Sequence, residues 1–304
     1  MTTAAARDRE KAWAAGSSVI AAVGLTTFKI FVGIATGSLG ILAEAAHSGL
    51  DLIAALMTFF AVRISGKPAD TRHLYGHGKV ESLSALFETV LLLVTCAWII
   101  RSAVLRLIHH SLEIEVTFWS FAVMATSIAV DVSRSRVLYR AARKHNSEAL
   151  EADALHFSTD IWSSAVVILG LVCVKISEWM PSLSFLRYSD AVAAIVVALI
   201  VVGVSVRLGM RTVQALIDTV PPGTDQRIVA AVEALPGVTD CHNVRVRYSG
   251  PRPFVDVHVL LDGNQTLREA HELTEDIERA IQGVLPEADV TVHPEPRAEP
   301  GSAA

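Results

Sequence analysis

Six long apolar stretches constrain the fold of this chain more than any other feature of its sequence. They cover roughly residues 13–36, 39–64, 81–103, 115–137, 154–176 and 189–209. A helix needs about 20 mostly apolar residues to cross the hydrocarbon core of a bilayer, and each stretch meets that length. Hydrophobic residues make up 52% of the 304-residue chain, a share that is typical of membrane proteins. The sequence therefore predicts an α-helical membrane protein with six transmembrane helices.

The character of the chain changes after about residue 220, where Pro221-Pro222-Gly223 interrupts the apolar region. Alternation in FVDVHVLL is typical of a strand, and TLREAHELTEDIERAIQGVL has helical spacing. The predicted elements are a helix over 224–235, strands over 241–248 and 253–261, a helix over 266–284 and a strand over 288–293. This order predicts a small α+β domain at the C-terminal end of the chain.

These boundaries divide the chain into four segments. We expect an N-terminal tail over 1–12, a six-helix membrane domain over 13–219, a C-terminal domain over 220–296 and a disordered tail over 297–304. The first apolar stretch is too long for a signal peptide and lacks a small-residue cleavage site, so we expect it to remain as a span.

Basic residues predict the orientation of the spans through the positive-inside rule. The segment between spans two and three holds four lysines and arginines, and the segment between spans four and five holds five, Arg134 among them. The segments after spans three and five hold two each, a weaker signal in the opposite sense. We therefore expect both termini to face the cytoplasm.

Charge and cysteine content narrow the possible partners. Residues 220–304 hold 7 lysines and arginines against 14 aspartates and glutamates, whereas residues 1–219 hold 19 against 17. An acidic domain is poorly suited to nucleic acid and well suited to cations. The 3 cysteines form no CxxC pair, which fits a reducing compartment.

Two apolar stretches carry the same polar pattern of an acid, a histidine and an aspartate. The pattern lies in AEAAHSGLD at 43–51 and again in EADALHFSTD at 151–160. Its spacing places all three residues on one side of a helix, within roughly 60° of one another. Ionisable groups at membrane depth cost about 2.5–3.5 kcal/mol each on insertion-based scales. Two matching polar stripes therefore favour an ion pathway over simple helix packing.

The two stripes supply two imidazoles and two carboxylates, from His47, Asp51, His156 and Asp160. This set suits a tetrahedral cation such as Zn²⁺, whereas Mg²⁺ and Ca²⁺ prefer more oxygen ligands. Four protein ligands leave no open position for an activated water, so we expect the ion to be held and released. Both ligand types also bind protons, which predicts exchange of metal against protons.

Each stripe begins with an acid one turn before its histidine. Glu44 and Asp153 occupy these positions. We expect them to orient the histidines or to pack neighbouring helices.

The segment between spans two and three, KPADTRHLYGHGKVES, contains Asp70, His73 and His77. The three residues fit a second cation site, and a polar turn at the membrane surface fits equally well. Gly76 and Gly78 argue against a continuous helix here.

The C-terminal domain also holds a high density of histidine. The residues concerned are His242, His258, His271 and His293, with Glu295 just after the last. This density favours a further metal site, with surface histidines as the alternative.

Taken together, these motifs resemble the cation diffusion facilitator family, proton-coupled exporters of zinc and related divalent metals, over about residues 12–296. AEAAHSGLD and ADALHFSTD match the family's transport site, and DTRHLYGHGK matches its linker site. CHNVRVRYSG, FVDVHVLL, EAHELTEDIE and VTVHPEP match its C-terminal domain. The resemblance implies six spans, cytoplasmic termini and a ferredoxin-like (metallochaperone-like) C-terminal domain.

The resemblance also implies roles for individual residues. The transport ligands would be His47, Asp51, His156 and Asp160, and the linker ligands Asp70, His73 and His77. The cytoplasmic ligands would be His242, His258, His271, His293 and Glu295, with Glu295 standing where many members have aspartate. Lys79 and Asp218 fall where related proteins form a salt bridge across a homodimer.

A histidine on span two is similar to the zinc-preferring branch of the family. The segment between spans four and five lacks a long His-rich run, which favours a bacterial inner-membrane protein. We therefore expect a Zn²⁺/H⁺ antiporter that moves zinc out of the cytoplasm and also binds zinc for regulation. Fe²⁺, Mn²⁺, Co²⁺ and Cd²⁺ are alternative substrates. Expected partners are a second copy of the chain, divalent metal ions, protons and the lipid bilayer, and not nucleic acid.

Three other classes fit the sequence less well. An intramembrane metallohydrolase would need an open metal position, and no HExxH motif is present. A membrane-anchored metal sensor would not need polar stripes on two spans. A cation channel would need weak sites that hold several ions. We therefore expect a transporter and not an enzyme.

Overall fold

The computed structural model describes residues 4–109, 118–179 and 189–297. The first part consists of the long helices α1 (Ala4–Thr36), α2 (Leu39–Ser65), α3 (Lys79–His109), α4 (Phe118–His145), α5 (Glu148–Trp179) and α6 (Ser189–Leu216). The remaining elements are α7 (Thr224–Glu233), β1 (Asp240–Ser249), β2 (Arg252–Leu261), α8 (Leu267–Val284) and β3 (Asp289–Pro296).

The chain divides into two compact units. The helical unit comprises Met1–Pro68 and Val80–Val213, and the C-terminal unit comprises Ala69–Lys79 and Gln214–Ala304.

The helical part confirms the prediction of a membrane protein. Four segments are long and apolar enough to cross a membrane: Ala6–Thr36, Glu44–Ser65, Lys79–Leu105 and Val192–Leu216. The described parts of α4 and α5 do not meet the same criteria of length and hydropathy. α4 also carries several charged residues between Asp131 and Lys144. The count of six spans therefore stays a prediction for these two helices.

Large apolar side chains lie on the outside of the helical unit. Ile20, Phe31 and Ile34 of α1, with Ile53 and Phe60 of α2, are each more than half exposed. A soluble protein rarely exposes so much apolar surface in one region. These faces are suited to contact with acyl chains.

Small residues line the inside, where helices approach one another. Ala14, Ala15 and Ala22 of α1 and Ala54 and Ala55 of α2 are all buried. Small side chains allow close helix packing within a membrane. α1 packs against α2 and α4, α4 packs against α5, and α2 meets α5. The polar stripes of α2 and α5 therefore lie next to each other inside the helical unit.

The N-terminal segment differs from the predicted tail because α1 already begins at Ala4. Residues 4–12 are rich in alanine, arginine, glutamate and lysine, which are strong helix formers. Buried Lys11 donates to Glu81 of α3 at 2.6 Å, which holds this turn against the bundle. Residues 1–3, and all of the predicted C-terminal tail except Arg297, lie outside the described residues.

The C-terminal unit confirms the predicted α+β domain, with boundaries that differ by up to three residues. Its sheet has the order β1-β2-β3, with β1 antiparallel to β2 and β2 parallel to β3. Ile228 of α7, Val257 of β2, and Ile277 and Ile281 of α8 form its buried centre. The register places His242 opposite His258, and His258 opposite His293.

The linker Ala69–Lys79 belongs to the C-terminal unit, although the sequence predicted it as part of the membrane domain. The Tyr75 ring meets the Phe254 ring edge-on at 5.1 Å, and the Arg247 guanidinium lies 3.7 Å from the centre of the Tyr75 ring. Gly78 passes so close to the β1–β2 turn that a Cβ atom there would lie 2.2 Å from the Ser249 carbonyl oxygen. These contacts between distant residues explain the difference, since no local pattern encodes them.

Candidate metal centres

Three ionisable side chains converge between α2 and α5. Asp51 comes from α2, and His156 and Asp160 come from successive turns of α5. The Nε2 atom of His156 lies 3.2 Å from Oδ1 of Asp51 and 3.7 Å from Oδ2 of Asp160. One ligand atom of each residue lies within 4.8 Å of the other two. We call Asp51, His156 and Asp160 the intramembrane group.

His47 lies at the edge of the intramembrane group. Its Nε2 atom is 4.0 Å from Oδ1 of Asp51. The His47 side chain is 45% exposed, whereas that of His156 is 3% exposed. The structure thus brings three of the four predicted transport ligands together and places the fourth next to them.

The two acids that precede the histidines contact α1 instead of the histidines. Oε2 of Glu44 accepts a hydrogen bond from Nζ of Lys29 at 3.3 Å. Asp153 is fully buried, and its Oδ2 accepts from Oγ of Ser18 at 3.5 Å. Of their two predicted roles, these contacts match helix packing.

A buried arginine lies where the sequence predicted a loop charge. Arg134 of α4 is 5% exposed and donates to Oγ of Ser18 from Nε and Nη2, at 3.2 and 3.1 Å. Its guanidinium lies 3.5 Å from the centre of the Phe157 ring, and its Nη1 lies 3.4 Å from Oδ1 of Asp131. Arg134 therefore holds α4 against α1 in addition to being a basic residue near the predicted end of span four.

Two further buried charges were also missed by the sequence reasoning. Lys29 of α1 donates to Oγ of Ser48 at 2.8 Å, and Glu88 of α3 accepts from the Thr58 hydroxyl of α2. The signal that would have found them is the presence of any ionisable residue inside an apolar stretch. Their contacts tie neighbouring helices together around the intramembrane group.

The linker brings Asp70, His73 and His77 together without forming a helix. Asp70 Oδ1 accepts from the backbone N–H groups of Arg72 and His73, both at 2.8 Å, as in an Asx turn. Nδ1 of His73 lies 3.1 Å from that carboxylate, and Nε2 of His77 lies 3.4 Å from it. The two backbone hydrogen bonds lower the pKa of Asp70 to about 2. The group therefore presents an ionised carboxylate and two imidazoles at neutral pH.

A second cluster lies on the sheet of the C-terminal unit. His242 on β1, His258 on β2 and Glu295 on β3 meet because the three strands are neighbours. Nδ1 of His258 lies 2.7 Å from Oε1 of Glu295, and Nε2 of His242 lies 3.4 Å from Oε2. The hydrogen bond with His258 lowers the pKa of Glu295 below its usual value. Its carboxylate is therefore ionised throughout the range in which imidazole titrates. We call His242, His258 and Glu295 the sheet cluster.

The other two histidines of this unit have different positions. Nε2 of His293 lies 3.8 Å from Oε1 of Glu295, at the edge of the sheet cluster. His271 lies on the exposed face of α8, with its Nε2 3.7 Å from Oε1 of Glu275. The structure therefore does not bring His271 into the cluster within one chain, because α8 turns Ile277 and Ile281 toward the core.

Cysteine does not contribute a ligand to the sheet cluster. Cys241 precedes His242 but points to the opposite side of β1, where its side chain is buried in the core. Burial, with Glu233 and Asp240 nearby, raises the pKa of the Cys241 thiol to about 11. A protonated thiol is a poor metal ligand.

Lys79 and Asp218 form an ion pair within one chain. Nζ of Lys79 lies 2.8 Å from Oδ1 of Asp218 and also donates to the carbonyl oxygen of Leu216 at 3.3 Å. Asp218 adopts a left-handed backbone conformation with φ of 61°, which aspartate tolerates better than most residues. The pair forms here without a second copy, and pairing across a dimer stays a prediction.

Comparison with known proteins identifies both parts of the chain. Residues 17–217 match the cation efflux transmembrane domain, and residues 220–297 match the cytoplasmic domain of cation efflux proteins. The cation-efflux pump FieF of Yersinia enterocolitica is 34% identical over 295 residues, covering 95% of this chain and 93% of the relative. FieF of Pectobacterium atrosepticum is 32% identical over 293 residues, covering 93% of this chain and 92% of the relative.

A solved structure of a MamM-CTD variant is 31% identical where it aligns. It covers 25% of this chain and 96% of its own, with a TM-score of 0.24. The family match spans most of the chain, and the curated relatives align over nearly their whole length. The chain therefore belongs to the cation efflux family, the cation diffusion facilitators, and is a multi-pass membrane transporter for cation efflux.

Proposed function

We propose that this transporter exports Zn²⁺ from the cytoplasm in exchange for protons, through the intramembrane group and His47. The observation that supports this most strongly is the meeting of Asp51 with His156 and Asp160 between two helices. Two carboxylates and two imidazoles give a mixed nitrogen and oxygen donor set, which suits Zn²⁺.

The distances within the group support a tetrahedral ion. Zinc binds nitrogen and oxygen at about 2.0 Å, so neighbouring donors in a tetrahedron lie about 3.3 Å apart. The His156 to Asp51 and His156 to Asp160 separations are 3.2 and 3.7 Å. His47, at 4.0 Å from Asp51, needs only a small side-chain movement to complete the set.

Proton exchange follows from the same donors. Zinc requires neutral imidazoles and ionised carboxylates, so each proton that the group takes up weakens its hold on the metal. Protonation from the more acidic outer face releases zinc outward. The empty, protonated group then returns inward, and the cycle exports metal at the expense of the proton gradient.

Other divalent metals are the second candidate substrates. Fe²⁺, Mn²⁺, Co²⁺ and Cd²⁺ accept the same donor types, and relative affinities alone do not decide which metal a cell supplies. The two carboxylates of the group would favour the harder ions Mn²⁺ and Fe²⁺ if His47 stays outside the coordination sphere. Offering each cation in turn to the same vesicles distinguishes these substrates.

We place the transporter in the bacterial inner membrane with both termini in the cytoplasm. Exposed basic residues at the ends of α2 and α4, such as Arg63, Arg140 and Arg143, support this orientation through the positive-inside rule. The linker group and the C-terminal unit would then face the cytoplasm, where zinc is collected.

The linker group and the sheet cluster are proposed as regulatory zinc sites. Each combines two imidazoles with a carboxylate, and the pKa of that carboxylate is lowered in both. His293 is available to complete the sheet cluster. A homodimer is proposed as the working assembly, with the C-terminal units drawn together by bound metal.

The test is zinc transport by the purified chain in proteoliposomes with a zinc indicator inside. Asp51→Ala and Asp160→Ala should each reduce the transport rate by more than about 100-fold. Loss of a residue that only hydrogen-bonds a metal ligand costs about 10–100-fold, and loss of a ligand itself should cost more. Glu44→Gln is the matched control, because it neutralises a carboxylate on the same stripe of α2 outside the group and keeps an oxygen acceptor for Lys29. Transport by Asp51→Ala at the rate of Glu44→Gln would contradict the assignment.

A further inference from the structure

A groove lies between α1 and α4 at the end of the helical unit that we place in the cytoplasm. It is open to the surroundings and combines charged with apolar side chains. Its main lining residues are Arg9, Glu10, Trp13, Val137, Arg140 and Lys144.

The groove has an excess of positive charge. Glu10 accepts from Nζ of Lys144, and Nε2 of His145 lies 2.9 Å from the same carboxylate, so Lys144 is largely neutralised. Arg9 and Arg140 are exposed and form no ion pair within the part of the chain that the structure describes. Two guanidinium groups thus remain on opposite walls, and the Glu10 contacts hold the walls together.

The length of α1 indicates the level at which the groove lies in the membrane. Its candidate span, Ala6–Thr36, has 31 residues, about ten more than the hydrocarbon core requires. The charged residues Arg7, Asp8, Arg9, Glu10 and Lys11 all lie at its start, which places them at the level of the headgroups. Trp13 follows one turn after Arg9 and is 69% exposed, as expected for a tryptophan at the membrane interface.

We propose that this groove binds the headgroup of an anionic phospholipid from the cytoplasmic leaflet. The lipid phosphate lies between Arg9 and Arg140, because guanidinium binds phosphate through paired hydrogen bonds. The glycerol and the upper acyl chain lie against Trp13 and Val137. The occupant is a lipid and not a free anion because the basic residues adjoin an exposed apolar surface at headgroup depth. This proposal rests on the cytoplasmic orientation proposed above.

The test counts lipids bound to the purified full-length chain in neutral detergent, by native mass spectrometry. Dioleoylphosphatidylglycerol should bind saturably and dioleoylphosphatidylcholine weakly. Arg9→Gln with Arg140→Gln should weaken phosphatidylglycerol binding by about 25-fold, or about five-fold for each arginine. Arg63→Gln with Lys67→Gln is the control, since it removes two exposed charges near the same membrane face but outside the groove.

A second readout locates the lipid. Brominated phosphatidylglycerol should quench the fluorescence of Trp13, measured as the difference between the chain and its Trp13→Phe variant, and brominated phosphatidylcholine should not. The proposal would be overturned if phosphatidylglycerol and phosphatidylcholine bound equally. It would also be overturned if the control variant lost as much affinity for phosphatidylglycerol as the Arg9 and Arg140 variant. Displacement of the lipid by inorganic phosphate at matched ionic strength would assign the groove to free anions instead. No metal or pH gradient is used, so failure of the zinc proposal would leave these results unchanged.

Discussion

Asp51 lies between the two histidines of the proposed transport site. Its Oδ1 atom is 3.2 Å from Nε2 of His156 and 4.0 Å from Nε2 of His47. A cation that binds here is therefore shared between α2 and α5. The partly exposed His47 is the residue that decides whether the donor set has one imidazole or two.

We predict that His47→Asp changes the choice of metal more than it reduces transport. Replacing nitrogen by a carboxylate oxygen makes the site harder and favours Mn²⁺ or Fe²⁺ over Zn²⁺. A tenfold change in the Zn²⁺ to Mn²⁺ preference, about 1.4 kcal/mol, would be a clear result in a competition assay. Glu44→Gln, on the same helix, should leave the ranking unchanged, and an unchanged ranking in His47→Asp would count against the role of this residue.

The sequence predicted much of the intramembrane group and little of its surroundings. Helical spacing was sufficient for Asp51, His156 and Asp160, because a polar stripe on an apolar helix must face the interior. The burial of Arg134 was not predicted, because the sequence near a predicted loop does not distinguish a buried basic residue from an exposed one. His271 was grouped with the sheet cluster because of histidine density and the family resemblance. Within one chain, the helical phase set by Ile277 and Ile281 turns it away from that cluster.

At the scale of elements, α4 connects α1 to the helix that carries His156. Arg134 holds Ser18 of α1 and covers the Phe157 ring of α5. Two buried acids lie nearby: Asp131 is 3.4 Å from Nη1 of the arginine, and Asp153 accepts from the same Ser18 hydroxyl. The polar contacts of Arg134 therefore link α4 to both α1 and α5.

We predict that Arg134→Gln destabilises the helical unit by about 3–5 kcal/mol, the usual cost of leaving a buried charge without its partner. Thermal unfolding of the purified chain in detergent measures this. Arg136→Gln is the matched control, because Arg136 is exposed on the same helix, and it should change the stability by less than about 0.5 kcal/mol. If the two variants lost the same stability, Arg134 would not be needed to hold the helices together.

The linker between α2 and α3 shows why helices and strands were easier to predict than the structural unit to which a segment belongs. Gly76 and Gly78 correctly argued against a helix between α2 and α3. The contacts of Tyr75 with Phe254 and Arg247 join residues about 170–180 positions apart, and no periodicity reports them. The order of strands and helices in the C-terminal unit followed from local periodicity and was confirmed, with boundaries that differ by up to three residues.

At the scale of the whole molecule, acidic charge opposes the proposed dimer until metal binds. Residues 220–304 hold 14 acidic against 7 basic residues, so two copies repel one another without cations. We predict that zinc shortens the distance between spin labels placed on the two C-terminal units. A variant with His242→Ala and His258→Ala should show no zinc-dependent change. An unchanged distance in the unaltered chain would contradict metal-driven approach of these units.

The central claim is the exchange of zinc for protons, and the most direct measurement is proton movement driven by a zinc gradient. Purified chain is reconstituted in liposomes with a pH indicator inside, and zinc is added outside at equal internal and external pH. Zinc entry should raise the internal pH, and Asp51→Ala should abolish that change. Zinc entry at the normal rate with no pH change, when the membrane potential is clamped, would contradict exchange and leave facilitated diffusion of zinc.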